Sequence, residues 1–477
     1  MACNIQNEFE SIVLGDQRRN ERLMKFAARL AQSPSRSIRG ACQGWDETMA
    51  GYRLVHSEHL DMPKLLEAHR NAVQQRAREC SGDLLLVQDT TELDYSTHKA
   101  LQGSGPISDK SRRGFFLHNR LLIAEEEALV LGVYSAQTWA CDDAGHGKGK
   151  YRRSRPIEQK ESMRWLEGYR DACALAVEFP KRKIIMIGDR ECDIYEIYAR
   201  WQELPKGEKA RADFIVRAGR DRALECEGDE ALSQEHLFKK LSAAPLLGCF
   251  DLEIDRKEQS VKVKGNTRRR VRQSRLAKME VRACPVRLRP PQRKGIVLPE
   301  VEPTAVLVCE KDAPEGQEPV QWLLLSSLPS KDFDQAMRII RAYTQRWLVE
   351  EFHRVLKSGC RIESLTLRES GALLTAVALF MVVAWRILYL RDLSRSCGDD
   401  LPGSWFFTEA ESRAACLVLK RKTGGKPPTL AELSVMVAKL GGYAARKSDP
   451  PPGAQCLWHG LEKLRHYVEM AQALGAL

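Results

Sequence analysis

The chain has 477 residues, enough for two to four domains and at least one sizeable core, and its 43% hydrophobic and 29% charged residues are those of a globular protein. A formal net charge of +11 favours an anionic partner, nucleic acid or an acidic membrane surface. Fourteen cysteines scattered without a CxxC pair argue against zinc-ribbon or thioredoxin chemistry and fit a reduced cytosolic protein with free thiols, while the start, MACNIQNEFESIVLGD, lacks a secretory signal.

The first eighty residues read as helical. Asp16 is a fitting N-cap for a helix whose apolar stripe is Leu23, Phe26, Ala27 and Leu30. Arg18, Arg22, Lys25 and Arg29 would give that helix one basic face, which is either solvated or a contact surface for a DNA backbone. Pro63 stands near the start of another helix running toward Arg78.

From Leu84 the texture changes. Strands are expected at 84–87, 115–124, 128–139, 184–187 and 214–217, with helices near 162–178 and 194–201. That order predicts an α/β sheet of mixed direction. A loop rich in Gly, Lys and Arg, 145–155, leads into the first of those helices.

Between 219 and 320 the pattern breaks. The stretch Arg256–Lys294 holds fifteen Lys or Arg against two acids, so the rest of the chain sums to −2. Valines interleaved with these charges suggest β-strands that grip phosphates, Arg268, Arg269 and Arg270 among them. A strand at Trp322–Ser327 and one long helix from about Asp332 to Lys357 follow. The apolar stretch 371–385 is fifteen residues, short of the roughly 20 needed to cross a bilayer, so a buried core helix is expected. The C-terminal part carries Lys420-Arg421-Lys422, a Pro-rich linker at 449–453, and a last amphipathic helix, about 456–474, suited to packing against a partner chain.

Asp89 and Asp189 each follow an apolar strand, the place where open α/β sheets put their ligands. Alone, either is as well explained as a turn former. The segment YTQRWLVEEFHRVLK adds more. On one continuous helix, Tyr343, Arg346, Glu350 and Lys357 fall within an arc of roughly 60°, while Glu351 is turned away by about 100°. A tyrosine, two cations and an acid on one face suit a site handling phosphate, with Glu350 on a metal.

This helix resembles the Y-x2-R-x3-E-x6-K signature of bacterial insertion-sequence transposases of the DDE type, the transposon-five group in particular. The resemblance runs nearly end to end, through LGDQRRNERL, QDTTELDY, SDKSRRGFFLH, GDRECDIY, FIVRAG, QWLLLSS and KLGGYAARK. It implies an RNase H-like mixed-sheet catalytic core (81–395) with an inserted β-strand subdomain (about 219–320). That core would be flanked by a helical N-terminal DNA-binding domain (1–80) and a helical C-terminal domain (396–477) that could dimerise. It maps the acidic triad onto Asp89, Asp189 and Glu350, a base-flipping tryptophan onto Trp322, and DNA-contacting residues onto Arg217, Tyr343, Arg346 and Lys357. The implied function is cut-and-paste transposition of double-stranded DNA by a homodimer. Two Mg²⁺ ions per site (Mn²⁺ as substitute) would serve hydrolysis at the transposon end and joining of the 3′-OH to target DNA, through a hairpin intermediate. The expected location is the cytoplasm, at the nucleoid, with no membrane partner. A nuclease without strand transfer and a non-catalytic DNA-binding regulator are the competing readings. The stretch after Lys357 and the C-terminal region look shorter than in that group.

Overall fold

The computed structural model describes residues 4–34, 37–108, 111–142, 157–204, 210–225, 235–254, 257–263, 266–293, 295–421 and 426–475. The loop expected at 145–155, and Lys422, lie outside them. The chain gathers into two compact units, one of residues 1–148 with 347–477, the other of 149–346.

In the first unit a short 3-10 turn, Ile5–Phe9, precedes α1 (Gln17–Gln32). Asp16 caps α1 by accepting from the Arg18 N–H at 2.9 Å, and Leu23, Phe26, Ala27 and Leu30 are buried as the stripe requires. Then come α2 (Ile38–Ala41), α3 (Trp45–Val55) and α4 (Met62–Glu79), with Pro63 in the first turn of α4, where a missing N–H costs nothing.

β1 runs Leu84–Asp94, and here the structure corrects a sequence expectation. Asp89 is in mid-strand, not at a strand end, because β3 continues the pairing through to Asp94↔Gly114. What ends at Gln88 is the burial: residues 84–88 are buried and 89–92 half-exposed. β2 (Gly105–Pro106) pairs with the start of β3 (Arg113–Ala124), and β4 (Leu129–Trp139) pairs antiparallel with β3 on its other side.

The β3·β4 register slips twice, around Tyr134 and Leu131. Both slips are put to use by α4. The Val133 N–H donates to His69 Nε2 at 3.1 Å, and the Leu131 carbonyl accepts from Arg76 Nε at 2.8 Å. Gly132 makes the approach feasible, since a Cβ there would stand 2.2 Å from Val73 and 2.9 Å from His69. His69 Nδ1 and Arg76 both bind the buried carboxylate of Glu8, at 2.7 Å and 2.6 Å, so the 3-10 turn, α4 and β4 share one polar junction.

The second unit opens with α5 (Met163–Glu178), β5 (Ile184–Gly188), α6 (Tyr195–Glu203) and β6 (Asp213–Arg217). Next are α7 (Leu237–Ala243), β7 (Leu246–Ile254), β8 (Lys257–Val263), β9 (Asn266–Arg272), β10 (Arg275–Pro285), β11 (Thr304–Glu310) and β12 (Gln321–Ser326). The sheet order within this unit is β5-β6-β12-β11-β10-β7. β5 and β6 are parallel and the other pairs antiparallel, the mixed direction expected. The basic segment does form strands: β8 and β9 pair antiparallel as a separate two-stranded sheet.

The second correction concerns the long helix. α8 (Phe333–Thr344), capped by Asp332, stops at Thr344. The Gln345 and Arg346 N–H groups turn back to the carbonyls of Ala342 and Tyr343, three residues away instead of four. Thr344 Oγ1 donates to the Arg341 carbonyl at 2.7 Å, and such a side-chain bond competes with the backbone ladder. The first unit then resumes with α9 (Trp347–Arg354) and a π-helical turn, Val355–Gly359. Tyr343, Arg346, Glu350 and Lys357 therefore do not lie on one continuous α-helix.

α10 (Ser370–Ser396) is the one described helix long and apolar enough to cross a membrane, and 89% of its apolar window is buried inside the structure. It packs on α1, α4 and β4, and on α12 (Leu430–Leu440) and α13 (Ala454–Ala473). Between α10 and α12 lies α11 (Glu409–Val418); Thr408 with Glu411, and Thr429 with Glu432, form capping boxes on α11 and α12. The twelve described cysteines are free thiols.

Candidate active site

In the first unit, Asp89 and Glu350 sit on elements that pack together, β1 and α9. Side chains of directly paired residues leave a sheet on the same face. Asp89 pairs with Asn119, whose Oδ1 lies 3.1 Å from His353 Nε2 on α9, so Asp89 is on the face that α9 covers. His353 is three residues beyond Glu350 and shares its side of the helix. Asp89 Oδ1 accepts from the Thr90 N–H at 2.8 Å, and both acids are half-buried.

Glu351 points elsewhere. Its carboxylate binds Arg354 at 3.1 Å and Arg391 of α10, which also holds Asp392 at 2.6 Å. Lys357, in the π-helical turn, donates from Nζ to the Glu92 carbonyl at 2.8 Å and pairs with Glu363 at 3.2 Å. Glu363 in turn accepts from the Asp94 N–H at 2.8 Å. Lys357 thus fastens the turn after α9 to β1, three residues beyond Asp89.

In the second unit, Asp189 directly follows β5 and caps a 3-10 turn, accepting from the Glu191 N–H at 2.8 Å. The parallel register sets Gly188 beside Val216, so Asp189 and Arg217 emerge level at neighbouring strand ends. Arg217 Nη2 donates to the Gln321 carbonyl at 3.0 Å. Trp322 is half-buried, its ring 6.2 Å from the Tyr343 ring. Burial lowers the pKa of Arg217, Arg190 and Arg346 lower it further, and Tyr343 opposes them. Burial raises the Tyr343 hydroxyl, against the pull of Arg346 and Arg217, and Asp189 adds to the rise. Arg217 and Arg346 around buried Tyr343, with Arg190 near Arg217, make a cationic corner beside a strand-end acid, suited to a phosphate. Asp193 braces this corner: its Oδ1 accepts from Tyr198 at 2.8 Å and from Arg222 at 2.6 Å, and its Oδ2 from the Gly219 N–H at 2.9 Å.

Among the remaining candidates, Arg18 and Arg22 are exposed on α1. The other two cations of that stripe are engaged: Lys25 and Arg29 bind Glu47 at 2.8 Å and 3.2 Å. Arg268, Arg269 and Arg270 lie in β9, opposite Val261, Ser260 and Gln259 of β8.

The carboxylates of Asp89, Asp189 and Glu350 are hard oxygen donors, chemically fitted to Mg²⁺ or Mn²⁺. Among the described residues, no group of three or more His, Cys, Asp or Glu forms a ready-made metal cage. Sequence reasoning missed Asn119, His353, Arg190, Asp193 and Arg222. A signal existed for the first: His118-Asn119-Arg120 interrupts an apolar strand and is buried, and buried polar groups demand partners.

Three protein-family models match the chain. A transposase DNA-binding model matches residues 2–60, a transposase DDE domain 175–385, and a transposase Tn5 dimerisation domain 382–475. The DDE match includes Asp189 and Glu350 and begins after Asp89; the DNA-binding match includes Arg18 and Arg22. The mixed α/β fold with a DDE domain carries an RNase H-like core.

Proposed function

This chain belongs to the DDE transposases of the Tn5 type, and from that membership we propose a cut-and-paste reaction at transposon ends. The chain is a DNA-cleaving and strand-transferring enzyme that binds DNA and forms dimers, and DDE domains work with divalent metal ions. The further steps are our reading. Asp89, Asp189 and Glu350 form the acidic triad and hold two Mg²⁺ ions per site, with Mn²⁺ able to substitute. When bound, such ions lower the pKa of the attacking water and stabilise the leaving oxygen. Arg217, Tyr343 and Arg346 bind phosphates near the cleaved end, Lys357 holds the turn after α9 to β1 and adds its charge there, and Trp322 stacks on an extruded base. The freed 3′-OH attacks the opposite strand to give a hairpin, which is reopened before joining to target DNA. Arg18 and Arg22 on α1 and Arg268, Arg269 and Arg270 on β9 bind terminal repeats. In functional terms the chain divides at about 80 and 395, and the homodimer acts in the cytoplasm, at the nucleoid.

The observation that supports this reading most is the placement of Asp89 and Glu350 on one β1·α9 seam, with Glu351 engaged by arginines. Losing a ligand carboxylate forfeits several kcal/mol of transition-state stabilisation, about a hundredfold or more in rate. Asp89→Ala, Asp189→Ala and Glu350→Ala should each abolish cleavage of end DNA in Mg²⁺ while leaving its binding nearly intact. A Glu350→Ala protein that nicks end DNA at the wild-type rate would remove Glu350 from the triad. Cleavage by the wild type without any joined product would make it a nuclease.

A further inference from the structure

Between Asp89 and Glu350 the first unit carries a buried polar chain that the triad itself does not need. Asn119, opposite Asp89, is 0% exposed, and His353, three residues after Glu350, is 8% exposed. Asn119 Nδ2 donates to the Met381 sulfur at 3.2 Å, which leaves Oδ1 as the acceptor and puts the proton on His353 Nε2, 3.1 Å away. On the other sheet face, Gln88 and Thr90, the neighbours of Asp89, are both held by buried His118. Its Nε2 donates to Gln88 Oε1 at 3.1 Å, and its Nδ1 accepts from Thr90 Oγ1 at 2.9 Å. Gln88, Thr90, His118 and Asn119, which flank Asp89 on β1 and β3, are thus each held by a directional bond.

Beneath α9, Val349, Phe352 and Val355 are buried. An apolar stripe sets the inward side of a helix only broadly, and α9 offers two adjacent glutamates about 100° apart. A hydrogen bond from α9 to the strand beside β1 selects one rotation. We propose that the Asn119–His353 pair is a positioning device for the reaction: it fixes the rotation of α9 so that Glu350, not Glu351, faces Asp89. This rests on the triad reading above. The Lys357–Glu92 bond fastens the far end of the same segment but leaves its rotation unset.

The test uses full-length protein and end DNA, with three readouts: single-turnover cleavage, DNA affinity, and Mn²⁺ binding to the protein–DNA complex by electron paramagnetic resonance. His353→Ala should slow cleavage by about 10–100-fold and raise the Mn²⁺ midpoint by a similar factor, the usual effect of losing a group that orients a metal ligand. DNA affinity should stay within about twofold. His353→Gln, whose amide can still donate to Asn119, should recover most of both losses, which a merely space-filling role would not require. Asn119→Leu keeps the seam filled and serves if His353→Ala melts without cooperativity; it should show the same paired loss. Wild-type cleavage and Mn²⁺ binding in Asn119→Leu, or a His353→Gln as impaired as His353→Ala, would overturn the proposal. Glu350→Ala run alongside separates the two ideas. If it cleaves normally the triad reading fails; if it is inactive while Asn119→Leu is normal, only the positioning role fails.

Discussion

Glu350 and Glu351 are adjacent, identical in chemistry, and placed by the structure in different surroundings. Glu351 binds Arg354 and the buried Arg391, which is itself shared with Asp392. Its loss removes a charge-assisted hydrogen bond in a half-buried setting, worth about 1.5–3 kcal/mol. Glu351→Gln should therefore lower the unfolding free energy read from a urea titration by that amount and keep cleavage within a few fold under conditions where the protein is folded. Glu350→Gln should do the reverse. Equal losses of cleavage in the two folded variants would show that the division of roles is wrong. From sequence, helical phase alone distinguished the two residues, and it assumed an unbroken helix from Asp332 to Lys357. The break at Gln345–Arg346 removes that assumption, because a threonine bonding back to its own helix is invisible to periodicity. What separates the two glutamates is a contact apiece outside the helix: Arg391 on α10, forty residues further on, takes Glu351, and the Asn119–His353 bond lies on the Glu350 side.

Two elements carry predictions of their own. The β8·β9 hairpin was legible in outline, because valines alternating with charges can form strands and cannot form a core. Each phosphate neutralised adds about 0.9 to the slope of log affinity against log salt. Replacing Arg268, Arg269 and Arg270 together by Ala should thus flatten the slope by about 2–3 and weaken binding regardless of sequence. An unchanged slope would take the hairpin out of the DNA interface. The junction of the 3-10 turn, α4 and β4 was not legible, since it depends on two register slips and a glycine. There, burial lowers the His69 pKa, with Arg76 adding to the fall against the pull of Glu8, and Nε2 is occupied as an acceptor. Burial works against ionised Glu8, but Arg76 and His69 more than offset it and hold its carboxyl at about 2. The signs follow. Below about pH 6.5 the unfolded state takes a proton that folded His69 refuses, so stability falls as pH falls. Glu8 adds a second loss between about 4.5 and 2, as its carboxylate is titrated. His69→Gln should reduce the dependence of unfolding free energy on pH below about 6.5, by no more than one proton's worth, about 1.4 kcal/mol per unit. Identical pH profiles for the two proteins would contradict the depressed His69.

At the scale of the molecule, the informative element is α10. Its apolar stretch reads from sequence as a short core helix; the structure extends it to 27 residues, and the charges this brings in are paired, buried Arg391 binding both Asp392 and Glu351. The DDE and dimerisation models meet inside this one helix, at 382–385. The C-terminal helices are also tied to the N-terminal ones within the same unit. Arg465 of α13 donates to Ser33, just past α1, and Gln43 donates to Glu469 at 3.5 Å. None of this was legible, since the partners lie more than four hundred residues apart. Its consequence is that the dimerisation region is not a detachable tail. A chain ending at residue 398 would uncover the side of α10 that packs on α12 and α13. Each buried Leu or Val exposed there costs about 1.5–3 kcal/mol, against a total stability of roughly 5–15 kcal/mol for a typical domain. A few such residues exhaust that margin. The truncated chain should aggregate on expression or melt at least about 10 °C below the full chain in a fluorescence scan. A truncated chain that sediments as a monomer with the full-length melting temperature would show instead that residues 399–477 are an appendage, and that α10 completes the core without them.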